Sequence, residues 1–124
     1  MRTHKDLDVW RLSLELSEEI YRLTRSYPKE EIYGITSQMR RASVSIPSNI
    51  AEGAARQTDK EFKYFLYIAA GSVSELDTQL EISKRLELVF STDIEDICNK
   101  TNKVARMLQG LIKSVKNRTV TSNQ

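Results

Sequence analysis

The sequence is poor in the residues that punctuate sheets and bind metals. It has only four glycines and two prolines in 124 residues, too few to turn a many-stranded sheet, so long helices with few connections are favoured. One cysteine, Cys98, excludes an internal disulfide, and with a single histidine, His4, it cannot assemble a zinc site. No cofactor is expected. No apolar run approaches the roughly 20 residues of a membrane-spanning helix, and the residues from Met1 to Asp6 lack the apolar core of an export signal. A cytoplasmic protein without membrane contact is the expectation. The formal net charge is only +2, which permits contact with a phosphate backbone without announcing it.

What is present is apolar residues at helical spacing: 40% of the chain is hydrophobic and 29% charged, enough for one domain with a real core. Residues 6–26 read as a first helix with Asp6 as N-cap and two apolar stripes. One (Leu7, Trp10, Leu14, Tyr21) suits an internal core. The other (Val9, Leu12, Leu16, Ile20, Leu23) is left for a second partner, which makes Leu12 and Leu16 the expected oligomer contacts. Tyr27-Pro28 ends this helix and Gly34 closes the turn. A second helix runs over 35–55 through Pro47. The spacing of Met39, Ala42, Ile46 and Ile50 stays in register across the proline, which favours a kinked continuous helix over a break with Pro47 at a new first turn. Ser43, Ser45, Ser48 and Asn49 are the nearby groups able to satisfy the carbonyl that Pro47 orphans. Thr58-Asp59-Lys60-Glu61 opens a third helix, 59–87, as a capping box. Its small turn Ala69-Ala70-Gly71-Ser72 is expected to lie against the Pro47 region. Val89-Phe90 plugs the bundle end, and Thr92-Asp93-Ile94-Glu95 is a second capping box for a fourth helix, 93–117. Short turns between four amphipathic helices predict a single-domain, all-α, antiparallel up-down-up-down four-helix bundle.

Several blocks of this sequence resemble a known family. Asp6-Leu7-x-Val9-Trp10, Pro28-x-Glu30-Glu31, Gln38-x-Arg40-Arg41-Ala42 and the run from Ser45 to Gly53, Ser-Ile-Pro-Ser-Asn-Ile-Ala-Glu-Gly, are similar to proteins encoded in intervening sequences of bacterial 23S ribosomal RNA genes. Phe62, Phe65-Leu66, Ala69, Gly71-Ser72, Glu75-Leu76 and Gln79-Leu80 look like that family's second block. The resemblance implies a four-helix bundle assembling as a homopentamer. It also implies a relation to the Avd accessory proteins of diversity-generating retroelements, which bind a reverse transcriptase and nucleic acid.

Two groups of residues stand out as candidate sites. Arg41, Ser45, Asn49, Glu52 and Arg56 recur at spacings of three and four on the second helix, and Glu75 and Gln79 pair similarly on the third. This polar seam reads first as a hydrogen-bonded network that fixes helix register, with Glu52 paired to Arg56, and second as an anion pocket. Glu52 and Glu75 have no nucleophile, metal set or glycine-rich loop beside them in sequence, so no enzyme is expected. The other group is basic: Arg11, Arg22 and Arg25 on the first helix, and Lys100, Lys103, Arg106, Lys113 and Lys116 on the fourth. Repeated around an oligomer, these make a field suited to RNA or DNA, with no means of reading base sequence. The alternative is a structural or protein-interaction module that touches no nucleic acid. The tyrosines do not decide between the two, since Tyr21 and Tyr64 occupy core-compatible positions.

Overall fold

The computed structural model describes residues 3–122, with side chains for 3–90 and 92–118. Four helices follow one another: α1 (Asp8–Thr24), α2 (Ile35–Ala54), α3 (Asp59–Arg85) and α4 (Ser91–Ser122). Each packs on its two neighbours around the ring and none on the one diagonally opposite, which is the expected antiparallel four-helix bundle. No strand occurs among the described residues, and no helix there is long and apolar enough to cross a membrane.

The expectation for the two stripes of α1 holds only in part: Leu7 and Trp10 pack against the core as expected, but the second stripe turns inward as well. Val9, Leu16 and Ile20 are buried and Leu12 and Leu23 pack partly buried against the same core, whereas Leu14 and Tyr21 are 36% and 40% exposed. Leu16 is wholly inaccessible, so it is a core residue and not an oligomer contact, and Leu12 also turns inward. The reason lies in two hydroxyl residues that a count of apolar side chains passes over. Ser13 and Thr24 are buried because each returns its hydroxyl to its own helix, Ser13 Oγ to the carbonyl of Trp10 at 2.7 Å and Thr24 Oγ1 to that of Ile20 at 2.7 Å. With their polarity satisfied they complete the stripe 9, 13, 16, 20, 24. Asp6 is not the cap of α1. It belongs to a preceding 3-10 turn (His4–Asp6), where it reaches back to the backbone of Thr3 in a capping box.

α2 passes through Pro47 without a break. Pro47 cannot donate to the carbonyl of Ser43, four residues back; Ser48 is exposed, and the neighbouring polar side chains of α2 are engaged elsewhere. Ser43 Oγ donates to the Arg40 carbonyl, and Asn49 Nδ2 to the carbonyl and hydroxyl of Ser45. The replacement donor comes from α1: Ser17 Oγ lies 2.9 Å from the Ser43 carbonyl oxygen. The helix is repaired by a neighbour and not from within.

α3 meets α2 along its length. Ser72 Oγ donates to Ser45 Oγ at 2.8 Å, two residues before the proline, and Ala69 is fully buried, as expected for the small turn. Gly71 has no part in this approach, since a Cβ there would meet nothing within 4 Å. Gly53 is a close approach of the two helices, where a Cβ would lie 2.8 Å from Phe65 Cβ and 3.1 Å from the carbonyl oxygen of Phe62. Thr58 caps α3 by accepting from the amide of Glu61 at 3.2 Å.

The expected ends of α3 and α4 shift. α3 closes at Arg85 in a Schellman motif: the amide of Glu87 donates to Lys84 and that of Leu88 to Ser83, with Glu87 left-handed at φ 57°. That reversal places Leu86 (60% exposed) and Phe90 (79% exposed) outside the core, so only Leu88 and Val89 plug the bundle end. α4 starts at Ser91, so Thr92 lies inside its first turn and does not cap it. Ile94, Ile97, Thr101, Val104, Leu108, Ile112 and Val115 are its buried face.

Candidate nucleic-acid interface

The outer face of α4 is basic because no aspartate or glutamate follows Asp96 anywhere in the sequence, while six lysines and arginines do. The apolar face fixes which way they point: with Val104, Leu108 and Ile112 buried, Lys103, Arg106 and Lys113 are exposed and engage no acidic side chain among the described residues. Arg106 and Lys113 lie seven residues apart and Lys113 and Lys116 three, so they form one ridge along the helix. Acids concentrated at the start of α4 and bases towards its end also suit the helix dipole.

Not every predicted basic residue belongs to this surface. Lys100 turns towards α1, where its ammonium donates to Glu19 Oε1 at 3.0 Å and sits 3.6 Å from Glu15 Oε2. Burial pulls its pKa down, but the hydrogen bonds and charges of Glu19 and Glu15 together outweigh burial and hold it above the usual lysine value. It is an interhelical tie. Arg11 is paired with Asp8 and Arg22 with Glu18. Arg25 is exposed and engages no acid among the described residues. Arg118, past the ridge, donates two hydrogen bonds to Asp59 at 2.8 and 3.0 Å and ties α4 to the start of α3.

The polar seam divides. Arg41, Ser45, Glu75 and Gln79 come together around an open cleft of about 430 Å³ between α2 and α3, joined by Gln38 and Ser72. Gln79 is 8% exposed and its side-chain oxygen has no hydrogen-bond partner among the described residues. Asn49 is held within α2 by its bonds to Ser45. Glu52 pairs with Arg56, whose guanidinium lies 4.9 Å over the ring of Phe65. Glu52 and Glu75 therefore have separate surroundings and do not form a carboxylate pair. Cys98 is half-buried, and burial pushes its thiol up, against the nearby charge of Lys84. His4 sits edge-on to Trp10 with ring centroids 4.9 Å apart. No group of three or more His, Cys, Asp or Glu among the described residues is placed to hold a metal ion.

The tyrosines are where sequence reasoning missed most. Tyr21 and Tyr64 are 40% and 63% exposed, and Tyr67 is 44% exposed, so none is a core residue. The signal was available on α3: buried Leu66, Ala69, Val73 and Leu76 set an inward face from which positions 64 and 67 are turned away.

Comparison with known proteins agrees with this architecture. The chain is similar to a solved protein of unknown function from the S23 ribosomal protein family of Bacteroides thetaiotaomicron VPI-5482. Identity is 28% and the TM-score 0.79, over 85% of this chain and 95% of that one. No curated protein matches. A family model described as 23S rRNA-intervening sequence protein matches residues 5–110. With the bundle, the Pro47 segment and the match over most of its length, the chain belongs to the 23S rRNA-intervening sequence protein family.

Proposed function

We propose that the protein works without catalysis, as an oligomeric bundle that holds RNA or DNA electrostatically along α4. The observation that carries this reading is the ridge of Lys103, Arg106 and Lys113, exposed in a stretch that contains no acid after Asp96. A phosphate backbone gains from such a ridge by releasing counterions, and the gain is independent of sequence and steeply weakened by salt. Repetition of the ridge around a homo-oligomer multiplies the field, and the pentamer implied by the family resemblance is the assembly we adopt. Its contacts belong on the outward apolar residues Leu14, Tyr21 and Val44, which are 36%, 40% and 43% exposed, in place of Leu12 and Leu16.

The test is binding of unrelated RNAs and DNAs over a range of salt. Affinity is expected to fall linearly with salt on a logarithmic plot, and Lys103→Ala, Arg106→Ala or Lys113→Ala each to weaken every sequence alike while reducing the slope by about one. Absence of binding at low salt, with a protein partner recovered instead, would move the function to the protein-interaction alternative.

A further inference from the structure

Resting on that reading, we infer that Tyr64 and Tyr67 of α3 form a stacking platform for the bases of single-stranded nucleic acid whose phosphates run along the α4 ridge. Both rings are turned away from the core, 63% and 44% exposed. Three residues apart, they share one face of α3 with Lys60, four residues before Tyr64, and Lys63, four before Tyr67. The platform joins the ridge directly, since Lys116 Nζ sits 5.4 Å from the centroid of the Tyr67 ring and Lys116 is the turn of α4 that follows Lys113.

The face continues past Tyr67 without obstruction. Gly71, one turn on, has open space where a Cβ would be, so a strand leaving the tyrosines has room there, with Ile68 (36% exposed) beside it and Glu75 a turn further on. Charge favours the same occupant. Glu61 is the single acid between Lys60 and Ser74, and its carboxylate takes a hydrogen bond from Thr58 Oγ1 at 2.9 Å; Asp59 is neutralised by Arg118. Exposed aromatic rings interleaved with unopposed lysines meet the two needs of a single strand, a π-face for each base and cations for the backbone. A duplex offers its phosphates to the ridge but keeps its bases stacked away from the tyrosines.

Fluorescence anisotropy with a labelled pyrimidine single strand and a duplex of equal length separates these contributions. The double variant Tyr64→Ala/Tyr67→Ala is expected to lose about tenfold or more in single-strand affinity while duplex affinity and the salt slope stay unchanged. Tyr64→Phe/Tyr67→Phe, which keeps the rings, is expected to bind the single strand like the wild type. Unchanged single-strand binding by the alanine variant, or equal losses for single strand and duplex, overturns the platform and leaves the electrostatic reading standing. A wild type that binds neither overturns both. A changed solution mass of the alanine variant assigns this face to a second copy of the chain and likewise overturns the platform.

Discussion

Pro47 poses a local problem with a distant answer. The sequence makes the difficulty legible, since a proline inside an apolar helical register must orphan the Ser43 carbonyl. It conceals the remedy, because Ser17 lies 26 residues away and nothing in its neighbourhood marks it as a donor. Ser17→Ala is therefore expected to cost about 1–3 kcal/mol, the penalty of a buried carbonyl left unpaired. In a Pro47→Ala background, where residue 47 regains its amide, the same substitution should cost well under half as much. Urea unfolding of the four proteins measures the coupling, and equal costs in both backgrounds would sink the assignment. Glu87 is a second residue-scale feature. At φ 57° it occupies the left-handed position that glycine fills without strain. Glu87→Gly is expected to stabilise by up to about 1 kcal/mol, raising Tm by a few degrees; a lower Tm would show that the Glu87 side chain outweighs the strain.

At the scale of elements, the helices and most of their faces follow from apolar spacing, and the misreadings share a cause. Spacing alone places Leu16 outward and Phe90 inward because it cannot show that Ser13 and Thr24 are satisfied by their own backbone, or that α3 reverses at Glu87. The glycines make a similar point. Gly53, Gly71 and Gly110 all sit inside helices, yet only Gly53 faces a neighbouring backbone. Gly53→Ala is expected to destabilise by about 1–3 kcal/mol through overpacking against Phe65 and Phe62. Gly71→Ala and Gly110→Ala should stabilise by roughly 0.5–1 kcal/mol through helix propensity, provided nucleic acid is absent. Thermal unfolding of the three decides this, and a shared sign would contradict the packing described. The tie between α3 and α4 depends on pH. The hydrogen bonds from Arg118 hold Asp59 below the usual carboxylate range; burial opposes them, and the Arg118 charge adds a smaller pull in the same direction as the hydrogen bonds. A depressed folded-state pKa stabilises above the unfolded carboxylate value of about 3.9 and is lost as pH falls through the folded value. The pair is partly exposed, so the gain stays within about 1 kcal/mol. In an NMR titration Asp59 should move to an ordinary carboxylate pKa in Arg118→Ala; an unmoved value would remove Arg118 as the cause.

For the whole molecule, the bundle was legible because each helix carries apolar residues at helical spacing and the connections are short. The basic character of α4 was equally legible, since charge needs no folding to be counted. The composition of the proposed interface was not: Lys100 drops out because Glu15 and Glu19 belong to another helix, and Tyr64 and Tyr67 join the proposal because burial elsewhere on α3 turns them outward. The face proposed for assembly was the least legible, as both stripes of α1 are apolar and only packing chooses between them. The inward turn of the second stripe carries its own prediction, that Leu14→Glu or Tyr21→Glu dissociates the oligomer and leaves the bundle folded, while Leu16→Glu unfolds it by burying a charge. Circular dichroism with sedimentation separates the two, and a folded Leu16→Glu monomer would restore the discarded face. The central claim, an oligomer that gathers nucleic acid by charge, is met most directly by light scattering of the intact protein with and without a structured RNA at low and high salt. The account expects a mass of about five chains that grows with RNA at low salt and returns to its starting value at high salt. A mass indifferent to RNA at every salt concentration would contradict it.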